Sequence, residues 1–147
     1  MREIARTTCG CKECVKCCKQ QPGCLGIGDL EKIAAFLGKT IEQAMAFFWA
    51  SPGALLMDRL TGRVYRVGTI TPRYDKRLKR CVFLTDDDRC SIHEVAPFGC
   101  AYFDTHMDNA EADKRSRMAI REQQTDEYQE LRSKLPFGDH YNPRRVT

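Results

Sequence analysis

No stretch of this chain is apolar enough to cross a bilayer as a helix. The longest apolar run, residues 44–50, reads Ala-Met-Ala-Phe-Phe-Trp-Ala, far below the roughly 20 residues a membrane helix needs. The first eight residues, Met-Arg-Glu-Ile-Ala-Arg-Thr-Thr, hold no apolar region and no small-residue cleavage site, so no secretory signal is read. Also missing are the G-x-G-x-x-G turn, the P-loop and the H-E-x-x-H helix, together with the C-x-x-x-C-x-x-C spacing of radical S-adenosylmethionine enzymes. The motifs therefore name no substrate and no reaction. There is no internal repeat or long low-complexity linker, and 147 residues fit one domain with one modest core.

Cysteine is what the chain has in excess. Seven of its nine cysteines fall in two groups: Cys11, Cys14, Cys17 and Cys18 as C-x-x-C-x-x-C-C, then Cys81, Cys90 and Cys100. A disulfide scaffold needs an oxidising compartment and usually an even count. The odd count and the absent signal point instead to reduced thiols in the cytoplasm. Thiolates are soft ligands that select zinc, copper(I) or iron-sulfur clusters over magnesium or calcium.

Spacing narrows the choice. A closed zinc site takes four ligands and usually two C-x(2-4)-C knuckles, whereas the second group here is spaced by nine and ten positions. The first group follows the bacterial ferredoxin run up to its last position, where Gln21-Pro22 stands in place of Cys-Pro. The fourth ligand would then come from the distant group. If residues 11–18 are helical, Cys11, Cys14 and Cys18 fall within about 60° of one another, while Cys17 is about 100° from Cys18. Seven thiolates exceed what one centre requires. The surplus reads as a second, more open centre or as redox-active thiols. Cys9 and Cys24 flank the run as spare ligands or isolated cysteines.

The remaining pattern predicts an α+β fold. It comprises two N-terminal helices, a short antiparallel sheet, cysteine-rich loops and a long C-terminal helix. Asp29 is placed as an N-cap, with Leu30, Ile33, Ala34 and Leu37 at i, i+3, i+4, i+7 and a stop at Gly38. Thr40 and Gln43 make a capping box for a second helix carrying Ile41, Ala44, Met45 and Phe48 on one face. Phe47, Phe48 and Trp49 read as packing rather than as a ligand platform. Strands are expected over residues 54–60, 64–70 and 80–84, with a hairpin turn at Thr61-Gly62 and a solvated turn at residues 86–88. Ser91 and Glu94 suggest a further capping box before Pro97. Residues 108–135 read as the long helix, whose thin stripe of Met118, Tyr128, Leu131 and Leu135 meets the domain or a protein partner. The domain is drawn over residues 1–135, with residues 136–147 as a tail.

Charge is uneven. Residues 1–80 hold 15 Lys/Arg against 7 Asp/Glu, and residues 81–147 hold 9 against 13. Lys12, Lys16 and Lys19 lie within the cysteine run, where they offset thiolate charge. The run Arg73-Tyr74-Asp75-Lys76-Arg77-Leu78-Lys79-Arg80 is a candidate phosphate contact for nucleic acid, against the plainer reading of a solvated loop.

Four motifs occur in order: Cys11-x-x-Cys14-x-x-Cys17-Cys18, Cys81-Val82-Phe83-Leu84, Cys90-Ser91-Ile92-His93-Glu94 and Ala96-Pro97-Phe98-Gly99-Cys100. Together they resemble the CxxCxxCC, or YkgJ-like, cysteine-cluster family of zinc- or iron-chelating domains. The resemblance covers about residues 9–105. It implies that Cys11, Cys14, Cys17, Cys18, Cys81, Cys90 and Cys100 bind zinc or an iron-sulfur cluster, and it assigns no reaction. Longer relatives that methylate flagellin lysines include such a domain, but that chemistry would need another domain or partner. The chain departs from the family in carrying Val15-Lys16, where glycine is frequent, and His93, where tyrosine is frequent. His93 leaves a mixed Cys/His site open. His106 and His140 read as ordinary histidines.

The expectation is thus a cytoplasmic metal-binding domain holding an iron-sulfur cluster, of 4Fe-4S type, in a redox or sulfur-chemistry role. The alternative is a zinc-stabilised module that binds protein or nucleic acid without catalysis. In either case, cluster ligation would tie the two cysteine groups together, and loss of metal would loosen the domain.

Overall fold

The computed structural model describes residues 23–51, 55–57, 60–101 and 108–138. The expected α+β character holds among them: short helices and three two-stranded antiparallel sheets are present, and the hydrophobic core draws on the helices and on the strands around Phe48, Ile70 and Cys81. Among the described residues, no helix is long and apolar enough to cross a membrane.

Helix α1, Asp29–Leu37, buries Leu30, Ile33 and Ala34, and Leu37 packs against the same core. Gly38 ends it at φ 67°, with its N–H directed to the carbonyls of Ala34 and Ala35, a left-handed cap that glycine adopts without a Cβ penalty. The start differs from expectation. Gly28, at φ 80°, is the N-cap, and Asp29 is the first helical residue. Helix α2, Ile41–Met45, opens with the predicted capping box: the Gln43 N–H donates to Thr40 Oγ1 at 3.1 Å and the Thr40 N–H donates to Gln43 Oε1 at 3.0 Å.

The expectation of two N-terminal helices is not matched. Helix α2 has only five residues, and Phe48, assigned to its face, begins strand β1, Phe48–Ser51. All four residues of β1 are buried. A short apolar run covered on both sides carries no period that separates strand from helix, and adjacent aromatics favour the strand. Phe48 is 0 % exposed and its ring lies 5.7 Å from that of Phe83. The packing role expected of Phe48 and Trp49 therefore holds, but on a strand.

The expected hairpin forms between β2, Leu55–Met57, and β3, Val64–Arg66, with Gly62 at φ 72° in the connection. The predicted strand over residues 64–70 is divided at Val67-Gly68. Its second part, β4 (Thr69–Pro72), pairs antiparallel with β1, Phe48 opposite Pro72 and Ser51 opposite Thr69. The third pair is β5, Tyr74–Asp75, with β6, Arg80–Cys81. At the turn over residues 86–88, Arg80 reaches Asp86 at 2.8 Å. There the Thr85 hydroxyl donates to Asp87 and holds its carboxyl below the usual range. This agrees with a solvated turn.

The single long C-terminal helix is also not matched. After α3, Phe98–Ala101, come α4, Asn109–Gln123, and α5, Asp126–Ser133. Between them Thr125 caps α5, accepting the Tyr128 N–H at 3.3 Å, and Gln129 Nε2 donates to the Gln123 carbonyl at 2.7 Å. The break turns α5 onto the β1–β4 sheet. Arg132 Nη2 donates to the Ser51 carbonyl at 2.8 Å, and the Tyr128 hydroxyl stands between Leu25 and Ile70. Beyond α5, the Ala50 N–H donates to the Pro136 carbonyl at 2.8 Å and the Gly138 N–H to the Ala50 carbonyl at 2.9 Å. The start of the expected tail is thus joined to β1.

Candidate metal centre

Cys81, Cys90 and Cys100 lie on one continuous segment wrapped around buried apolar side chains. Cys81, 5 % exposed, closes strand β6 opposite Tyr74. The chain then folds back on itself: the Leu84 N–H donates to the Cys81 carbonyl at 3.0 Å and the Ser91 N–H to the Phe83 carbonyl at 2.8 Å. Leu84 and Cys90 form an antiparallel bridge. Cys90 is half-buried against the core cluster that holds Cys81, Phe83 and Leu84.

From Cys90 the chain passes through a 3-10 turn, His93–Val95, into α3. Ser91 and Glu94 do not form the expected capping box, because the turn starts at His93 with Ile92 as its N-cap and no side-chain cap bond. Ile92 and Phe98, both 0 % exposed, anchor the loop from beneath. Pro97 precedes α3, and the Cys100 N–H donates to its carbonyl at 2.9 Å. His93 is exposed on the 3-10 turn.

Cys11, Cys14, Cys17 and Cys18 lie outside the described residues, as do Cys9, His106 and His140. The chain from Gly23 onward is described, and it runs against the Gly99-Cys100 backbone. The Gly99 N–H donates to the Cys24 carbonyl at 2.8 Å. A Cβ on Gly23 would stand 2.6 Å from the Cys100 nitrogen and 2.8 Å from its Sγ, and a Cβ on Gly99 would stand 2.8 Å from the Gly23 Cα. Side chains at either glycine would break this backbone contact. Gly23 is five positions after Cys18, and five residues extend at most about 18 Å.

Two features escaped the sequence reading. Cys24, one of the flanking cysteines, has a neighbour on α4: Gln123 Nε2 donates to its Sγ at 2.9 Å. Gln123 is buried, which nothing in the charged pattern around it signals. Asp29, placed as a helix cap, accepts the Gly26 N–H at 2.6 Å and the Phe98 N–H at 2.8 Å through Oδ2. The spacing of Asp29 and Gly26 was readable, but the link to Phe98 is tertiary.

Burial raises the Tyr128 hydroxyl well above the ordinary tyrosine range, and the charge of Cys24 adds to the shift. The same hydroxyl donates to the Leu25 carbonyl at 2.8 Å and accepts the Ile70 N–H at 2.9 Å. It thereby fixes the segment following Cys24 against β4.

Among the described residues, no three His, Cys, Asp or Glu side chains form a group able to hold a metal. Cys81, Cys90 and Cys100 nevertheless fit zinc or iron in donor chemistry: all are thiols, the ligand type these metals prefer, and a fourth thiol, Cys24, follows the first group at the Cys100 backbone.

No curated protein and no protein of solved structure was found to match the chain. The family model CxxCxxCC, described as "Putative zinc- or iron-chelating domain", matches residues 10–131. That span takes in both cysteine groups and most of the described fold, and the chain belongs to this family.

Proposed function

We propose that this domain holds an iron-sulfur cluster through thiolates drawn from Cys11, Cys14, Cys17, Cys18, Cys81, Cys90 and Cys100, and that the protein serves a redox or sulfur-chemistry role. The observation that carries the reading is the ferredoxin-like C-x-x-C-x-x-C spacing of the first group. Seven thiols supply the four that one 4Fe-4S cluster takes and leave three over. The contact of Gly23 and Cys24 with Gly99 and Cys100 supports a site that draws on both groups. A 4Fe-4S cluster would supply one-electron transfer at a potential set by charge, hydrogen bonding and exposure. Protein purified without oxygen should be brown, absorb broadly near 400 nm and carry about four iron and four sulfide per chain. A colourless protein with stoichiometric zinc would replace this reading with a zinc-stabilised module.

A polyanion contact is a second reading, favoured by the shape of the basic run. It forms the β5–β6 hairpin, with Lys76, Arg77, Leu78 and Lys79 exposed at its tip. The one acid in the run, Asp75, is engaged locally, its Oδ1 accepting the Arg77 and Leu78 N–H groups at 2.9 and 3.1 Å. The tip thus gathers three cationic side chains of the kind that meets nucleic-acid phosphates.

A further inference from the structure

We propose that Asp29 is a positioning residue for the metal centre, its buried carboxylate setting where Cys100 stands relative to residues 23–26, which follow the first cysteine group in sequence. This rests on the reading of Cys100 as a ligand. Asp29 is 3 % exposed, and burying a carboxylate is costly unless its hydrogen bonds are made. The helix it begins does not use it as a cap, since Gly28 holds that place.

The bonds it makes lead elsewhere. Oδ2 accepts the Gly26 N–H at 2.6 Å and, across 69 positions of sequence, the Phe98 N–H at 2.8 Å. Gly26 lies two residues after Cys24, and Phe98 lies two before Cys100. Phe98 is also the first residue of α3, where backbone N–H groups have no partner within the helix. One oxygen atom therefore joins the segment leaving the first cysteine group to the helical turn bearing Cys100. The Gly99 N–H to Cys24 carbonyl bond at 2.8 Å lies parallel to this link and fixes the same two segments. Residues that orient metal ligands from outside the coordination sphere typically govern about 10–100-fold in affinity.

The test is anaerobic titration of the full chain with cobalt(II) as the probe, against a competing chelator. The reading is taken on the thiolate-to-cobalt charge-transfer band, whose intensity follows the number of bound thiolates. Far-UV circular dichroism and melting of the metal-free forms are recorded alongside. Asp29→Ala should weaken cobalt binding about 10–100-fold and lower the band toward that of Cys100→Ala. Asp29→Asn retains a carbonyl oxygen with two lone pairs and should bind as the wild type does.

If Asp29→Ala keeps the wild-type affinity and band, the proposal is overturned even where the variant melts earlier, because a purely structural role would do only that. If Asp29→Ala does not fold, Asp29→Glu, whose oxygen is displaced by one methylene, carries the test: a weakened band supports the proposal and an unchanged one overturns it. A wild-type chain that binds no cobalt overturns this proposal, and the iron and sulfide analysis decides the iron-sulfur reading separately. Binding lost in Cys100→Ala but kept in Asp29→Ala overturns this proposal alone.

Discussion

Tyr128→Phe removes one buried oxygen and nothing else, which makes it a sharp probe of how the segment after the cysteine run is held. The hydroxyl bridges two backbone groups, donating to the Leu25 carbonyl at 2.8 Å and accepting the Ile70 N–H at 2.9 Å. The same two residues also pair directly, the Leu25 N–H donating to the Ile70 carbonyl at 2.8 Å. The tyrosine oxygen thus stands in for one rung of a ladder. In the variant the Leu25 carbonyl keeps a weak donor, Gln123 Nε2 at 3.4 Å. The Ile70 N–H loses its bond inside the protein. An orphaned buried polar group costs about 1–3 kcal/mol, and the partly covered carbonyl brings the sum to roughly 2–3 kcal/mol. At about 2–4 °C per kcal/mol for a chain of this size, Tm should fall by about 4–12 °C. Thermal denaturation followed by circular dichroism measures it. A Tm within about 1 °C of wild type would show that the bridge contributes little and that packing and the direct Leu25–Ile70 bond hold the segment.

Three further outcomes follow from the same structure. Because burial raises the folded-state pKa of Tyr128, its stability contribution is complete below the unfolded value of about 10 and is lost as pH rises beyond it. Alkaline titration should show a loss of stability above about pH 10 that is shallower in Tyr128→Phe, and equal slopes would contradict the assignment. Phe48→Ala, at a side chain with no exposure, should cost about 3–5 kcal/mol, visible as a shifted denaturant midpoint. Arg77→Glu with Lys79→Glu should weaken binding to a single-stranded oligonucleotide and reduce its salt slope by about 0.7 for each phosphate no longer neutralised. An unchanged affinity would remove the hairpin from consideration. Arg80 is the poorer target, since it pairs with Asp86.

Local patterns were legible where the chain's own spacing decides the structure. The stripe from Leu30 to Leu37, the Gly38 stop, the Thr40 capping box and the Gly62 turn are short-range devices, and each appears where its residues predict. Two of the failures were set by distant partners. Phe48 and Trp49 became strand because β4, twenty residues on, supplies a ladder. The run after Val64 splits because its two parts pair with different strands. The helix break at Thr125 had a readable signal, a threonine followed by two acids, which the continuous charge of the region masked. At the candidate site, the family was legible from the type and spacing of the cysteines. The roles of Asp29 and Gln123 were not, since each bonds to residues 69 or more positions away.

The glycine contact between residues 23 and 99 bears on the order in which the domain can be completed. It brings main chain against main chain, and most of the described fold lies in the loop it closes. Closing a loop of that length costs entropy that only the finished core can repay. During synthesis the first four clustered thiols emerge well before Gly99 and Cys100 exist. On the proposed reading, with ligands drawn from both groups, metal captured that early meets an incomplete ligand set and productive loading falls to the folded chain.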